Sequence, residues 1–172
     1  MYLENNRTSH SPIRPAIAWI IVFLWMLIIF LLSAQDGTAS GQLSNGIAGW
    51  IYRLFTGQTD PGGITALEEV LRQVAHGSVY FILAVFVSLA FNRSGISDIR
   101  HIILTLVVCA LYAASDEWHQ SFVPGRAAQF TDFAVDMAGA VLGLLLYQAA
   151  SAVGYLRQQR SNREEGEDYE CE

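Results

Sequence analysis

The stretch Pro15-Ala-Ile-Ala-Trp-Ile-Ile-Val-Phe-Leu-Trp-Met-Leu-Ile-Ile-Phe-Leu-Leu-Ser-Ala34 decides the fold. It is twenty residues without a charge, and as a helix it reaches across the roughly 30 Å of hydrocarbon in a bilayer. Its apolar core exceeds the usual h-region of a secretory signal, and no small-x-small cleavage site follows Leu32, so it is expected to stay as an anchor. Three further runs share its character. Val74 to Phe91 is eighteen residues interrupted by His76, and Phe133 to Val153 is twenty-one interrupted by Asp136. Ile102 to Ser115 is shorter, extending through His101 at one end and towards His119 at the other. These runs explain why a 172-residue chain is 52% hydrophobic and only 15% charged, too apolar for an ordinary soluble domain. The expected fold is all-α: a polytopic membrane protein built on a four-helix transmembrane bundle.

Between the first two spans, Leu43, Ile47, Trp50, Ile51 and Leu54 recur at helical spacing among polar residues. A short amphipathic helix, lying on the membrane surface or tucked against the site, is expected there, stopped by Gly57. Thr65-Ala-Leu-Glu68 reads as a capping box that starts the second long helix, while Ser97 and Thr131 stand where they could cap the third and fourth spans. Pro124-Gly125 should end the third helix and turn the chain.

All ten basic residues are arginine. Arg7, Arg14, Arg93, Arg100, Arg157, Arg160 and Arg163 fall on one side of the four spans, and Arg53, Arg72 and Arg126 on the other. The positive-inside rule therefore expects both termini in the cytoplasm. Residues 1–14 are read as a cytoplasmic N-terminal segment, 15–153 as the membrane domain, and 154–172 as a cytoplasmic acidic tail. That tail holds six of the sixteen acids and reads as a solvated, disordered end. The few, scattered arginines give no nucleic-acid footprint, so no nucleic-acid partner is expected. Cys109 lies within a span and Cys171 in the tail, which offers neither a disulfide nor a CxxC metal site.

Connectivity brings the polar residues together. The end of span one, the start of span two, the end of span three and the start of span four must share one membrane face. They carry Ser33, Gln35 and Asp36; Arg72, Gln73 and His76; Asp116, Glu117, His119 and Gln120; and Asp132 and Asp136. By the arginine count this face is extracytoplasmic, and the opposite halves of the spans read as apolar. Helical phase adds to this, because residues three or four apart share a face. Asp132, Asp136, Gly139 and Gly143 form one stripe; Thr105, Cys109, Tyr112, Asp116 and His119 a second; Arg72, His76 and Tyr80 a third. The Gly139-x-x-x-Gly143 pair permits close helix approach. Polar groups this near hydrocarbon are costly and mark a site by default.

The chemistry stays open at this level. His76, Asp116, Glu117 and Asp132 are candidates for acid–base catalysis, yet Ser33, Ser40, Ser44, Ser115 and Ser121 stand in no recognised nucleophile elbow. Adjacent Asp116 and Glu117 point about 100° apart on a helix and match no zinc signature, so neither metal nor cofactor is expected. Arg126 is suited to a carboxylate or phosphate through its bidentate fork.

The order Ser33-x-Gln35, His76-x-x-x-Tyr80, Asp116-Glu117-x-x-Gln120-x-Phe122-x-Pro124-x-Arg126 and Asp132-x-x-x-Asp136-x-x-Gly139-x-x-x-Gly143 resembles the VanZ-like family. The likeness covers roughly residues 15 to 150. Family members often carry Asn at the place of Asp136, so the acid makes this site more anionic. The resemblance implies a small helical membrane protein of the bacterial cytoplasmic membrane with a cell-envelope role, in a family named for glycopeptide (teicoplanin) resistance. The leading expectation is a pocket of Ser33, Gln35, His76, Tyr80, Asp116, Glu117, Gln120, Arg126, Asp132 and Asp136. It would bind an anionic lipid or cell-wall component, with membrane lipids as surroundings and no set oligomeric state. A membrane-embedded hydrolase or transferase on a lipid-linked substrate is the alternative, and a proton- or cation-coupled transporter the third.

Overall fold

Five helices make up the computed structural model, which describes residues 13–35 and 37–170. Arg7, Asp36, Cys171 and most of the N-terminal segment lie outside the described residues. In chain order the helices are α1 (Ile13–Ser33), α2 (Gly37–Thr56), α3 (Pro61–Arg93), α4 (Asp98–Gln120) and α5 (Phe130–Glu170). Among the described residues there is no strand, and α1, α3, α4 and α5 are each long and apolar enough to cross a membrane. The chain is a multi-pass helical membrane protein.

Helix α3 is the hub, packing against all four others, most extensively α5. The core is made mostly of small and medium side chains, Ala18, Val22 and Ile29 from α1, Leu83, Ala84, Val87 and Ala90 from α3, Cys109 and Ala113 from α4, and Ala140 from α5, with Tyr80 and Phe91 of α3 as its large members. Large apolar residues such as Phe23, Leu24, Leu111 and Leu142 point outward instead. Lipid tails are as apolar as leucine, so these helices associate through close packing rather than by hiding hydrophobic surface. The Gly139 and Gly143 stripe meets α3 at its closest. A Cβ at Gly139 would strike the backbone of Gly77, and one at Gly143 that of Phe81. Tryptophans tie α1 to α3: Trp19 Nε1 donates to Ser94 Oγ at 3.1 Å and Trp25 Nε1 to the Val79 carbonyl at 2.9 Å. The Tyr112 hydroxyl links α4 to α1 by donating to the Met26 carbonyl.

The amphipathic helix is present as α2, but it is twenty residues long rather than short. Ala48 and Gly49 are buried, Gly49 lying beside Ile64 of α3, while Ile47, Trp50 and Leu54 stay exposed. Gly57 ends it with φ of 68°, a left-handed geometry that glycine adopts without a Cβ penalty.

The expected capping residues need correction. Helix α3 begins at Pro61, four residues before the Thr65 box, with Asp60 as its cap accepting the Gly63 N–H at 2.8 Å. Proline lacks the N–H that a first turn would leave unpaired, and aspartate supplies the acceptor, so together they start the helix earlier. Thr65 already sits inside it, donating Oγ1 to the Pro61 carbonyl at 3.0 Å. Ser97 holds the cap position of α4, but its hydroxyl binds Asp98 Oδ2 at 3.0 Å and caps no helix N–H. Thr131 falls within α5, which starts at Phe130. The stretch expected as a disordered end continues α5 as helix to Glu170.

The halves of the spans nearer the termini are not uniformly apolar either. His101 Nε2 lies 3.1 Å from the Ser88 carbonyl and Ser88 Oγ lies 3.4 Å from Thr105 Oγ1, all buried between α3 and α4. The imidazole on the Ser88 carbonyl and the paired hydroxyls of Ser88 and Thr105 act as interhelical glue. Thr105 belongs to the stripe read from the sequence, whereas Ser88 and His101 gave no such signal.

Candidate functional site

The polar ends of four helices converge on two adjoining cavities. One, of about 420 Å³, is lined by Gly41 and Ser44 of α2, Glu68, Arg72 and His76 of α3, Gln120 of α4, Gly125, Arg126, Ala127 and Gln129 of the α4–α5 loop, and Asp132 of α5. The second, of about 400 Å³, takes Ser44, Arg72, His76, Gln120 and Arg126 as shared wall. It adds Ser33, Gln35, Tyr80 and Asp116, and then an apolar side of Ile29, Leu32, Ile47, Leu71, Ala75 and Val79. Both volumes fall in the usual range for small-molecule sites.

Helical phase puts the α3 residues in place. Glu68, Arg72, His76 and Tyr80 step by four along one face, from the exposed first turns into the bundle. Arg72 pairs with Glu69 at 2.9 Å on an exposed surface, a weak interaction in water. One turn deeper, His76 turns Nδ1 to Asp136 Oδ1 of α5 at 3.5 Å, within ion-pair reach but longer than a firm hydrogen bond. Asp136 is fully buried and its carboxylate has no hydrogen-bond donor closer than that imidazole. The contact sets His76 between the buried Asp136 and the two cavities that His76 lines. Tyr80 is fully buried a turn deeper still, its hydroxyl without a hydrogen-bond partner.

On α4, Asp116 is buried and accepts from Gln120 Nε2 at 3.1 Å, so the two define a wall. Glu117 faces elsewhere. Its Oε2 accepts the Gln129 backbone N–H at 2.7 Å, and it lines neither cavity. It pins the chain entering α5, the duty that sequence reading gave to Thr131. His119, at the same helix end, packs on Phe30 with ring centroids 4.5 Å apart and the rings tilted by 42°. Gly125, at φ of 76°, completes the turn that carries Arg126 back over the site.

Of the residues expected at the site, Ser33, Gln35, His76, Tyr80, Asp116, Gln120, Arg126 and Asp132 line one or both cavities, and Asp136 stands directly behind His76. Glu68 and Gln129 were not anticipated. Glu68 extends the stripe of four-residue steps by one turn, a signal hidden because it also completed the capping box. The apolar wall gave no signal, since a residue facing a cavity and one facing lipid have the same side chain. Among the described residues no three His, Cys, Asp or Glu side chains gather as a metal-binding group.

Four helices long and apolar enough to span a membrane, gathered around a polar chamber at one end of the bundle, define an integral membrane protein. The VanZ/LLP1 family matches residues 18–151, most of the chain, and the protein belongs to that family. No curated protein and no solved structure matches it.

Proposed function

We propose that this VanZ-family protein binds an anionic headgroup or cell-envelope component in the polar chamber. Arg126 carries the reading: together with Arg72 and His76 it stands on the wall shared by both cavities. A guanidinium offers a rigid fork of N–H donors matched to phosphate or carboxylate. Asp116, Gln120 and Asp132 complete the wall and can orient hydroxyl groups of such a ligand. Arg126→Lys keeps the charge but not the fork. In purified protein it should weaken binding of glycerol phosphate roughly tenfold or more, one lost charged hydrogen bond in magnitude, with the melting temperature unchanged. Wild-type affinity in the lysine variant would defeat the proposal. The same variant should lose any teicoplanin tolerance that expression of the wild type confers.

We place the chamber on the outer face of the bacterial cytoplasmic membrane, with both termini inside, because seven of the ten arginines lie on the terminal side. Gln58→Cys, in the loop between α2 and α3, should react with a membrane-impermeant maleimide added to intact cells, and Ser94→Cys should not. The reverse pattern would invert the protein and put the chamber at the cytoplasmic face.

A further inference from the structure

Helices α1 and α2 both pack on α3, yet among the described residues they do not pack on each other. The space between them is the apolar part of the second cavity. Leu32 of α1 and Ile47 of α2 stand on its two rims, each nearly half exposed, at 46% and 47%. Leu71, Ala75 and Val79 of α3 form its floor, and Ala75 is itself exposed. This cleft runs without a break into the wall of Arg72, His76 and Arg126. Helices α1 and α3 are long and apolar enough to span, and the rim that Leu32 and Ile47 give this side opening is apolar, so it suits hydrocarbon better than water.

From this continuity we infer that the ligand is a membrane lipid with an anionic headgroup, and that it enters sideways through the α1–α2 cleft. The inference rests on the anion-binding reading above and names its substrate class. A soluble anion needs only the aqueous mouth of the polar chamber. A headgroup tethered to hydrocarbon chains needs an apolar passage as well, or its chain must be dragged through water. The cleft supplies that passage. Its attraction for the chain is small, since one hydrocarbon surrounding replaces another; what matters is that the chain has somewhere to lie while the headgroup reaches Arg126. The exposed Trp50, Leu54 and Phe55 would hold α2 at the interface beside the opening.

The test compares phosphatidylglycerol with tail-less glycerol phosphate, both offered to the purified full-length protein, with retention read by native mass spectrometry. Ala75→Trp fills the floor at an exposed position, and Leu32→Trp fills the opposite rim. Each should weaken phosphatidylglycerol retention roughly tenfold or more, a steric penalty of ordinary size expressed as affinity. Glycerol phosphate binding should be unchanged. Wild-type lipid retention in both tryptophan variants would overturn lateral entry while leaving the anion site standing. If the wild type holds neither compound, the anion reading falls and this inference with it. Should the variants fail to fold, phosphatidylglycerol with a photoactivatable acyl chain gives the answer on the wild type. Labelling at Leu32, Ile47 or Leu71 is expected, whereas labelling confined to outer faces such as Phe23 and Leu142 would overturn the inference.

Discussion

Gly139→Val should leave little folded protein, whereas Gly154→Ala on the same helix should fold at least as well as wild type. At Gly139 an added Cβ meets the carbonyl oxygen, carbonyl carbon and Cα of Gly77. Backbone cannot rotate away as a side chain can. Either α3 and α5 separate along their whole contact or the helices distort, and overpacking of a rigid site costs at or above the usual 1–3 kcal/mol, here about 3 kcal/mol or more. The damage would spread to the site, because the same contact carries His76 one residue before Gly77 and Asp136 three before Gly139. Gly154 has nothing within 4 Å of its added Cβ, so alanine there should gain up to about 1 kcal/mol of helix propensity. Thermal unfolding of the two variants in detergent decides the matter. A Gly139→Val protein that melts with the wild type would mean that α3 and α5 do not approach as described.

How far the sequence could be read follows from what each helix faces. Spans announce themselves by length and absence of charge, so α1, α3, α4 and α5 were legible, as was the convergence of their polar ends, which connectivity alone requires. The stripes of Asp132, Asp136, Gly139 and Gly143 and of Thr105, Cys109 and Asp116 were legible because a polar or small residue in hydrocarbon has to face protein. The apolar wall of the second cavity was not, since Ile29, Leu71 and Val79 satisfy lipid and cavity alike. The start of α3 was misplaced because two good caps, Asp60 and Thr65, compete within five residues and Pro61 decides between them. Glu117 looked like a site acid because its motif contains one. Only geometry shows it reaching the Gln129 N–H.

His76 and Asp136 should prove worth more together than apart. With Asp136 fully buried and its imidazole partner only 17% exposed, His76→Leu strands a carboxylate among apolar helices. Removing one member of a buried pair costs about 3–5 kcal/mol. Asp136→Leu alone should cost less, since His76 can stay neutral and keeps contact with the cavity. Replacing both by leucine removes the stranded charge and fills the space, and such swaps of whole pairs are often neutral or better. The double variant should therefore melt above His76→Leu, a departure from additivity that marks residues in contact. Strict additivity would mean that the two do not interact. The folded double variant then separates structure from function. It keeps Arg126 and Asp132, so if the pair serves only to join α3 to α5, phosphatidylglycerol should be retained as in wild type. Loss of the lipid from a stable double variant is the result expected on the proposed reading, because His76 lines both cavities beside Arg126.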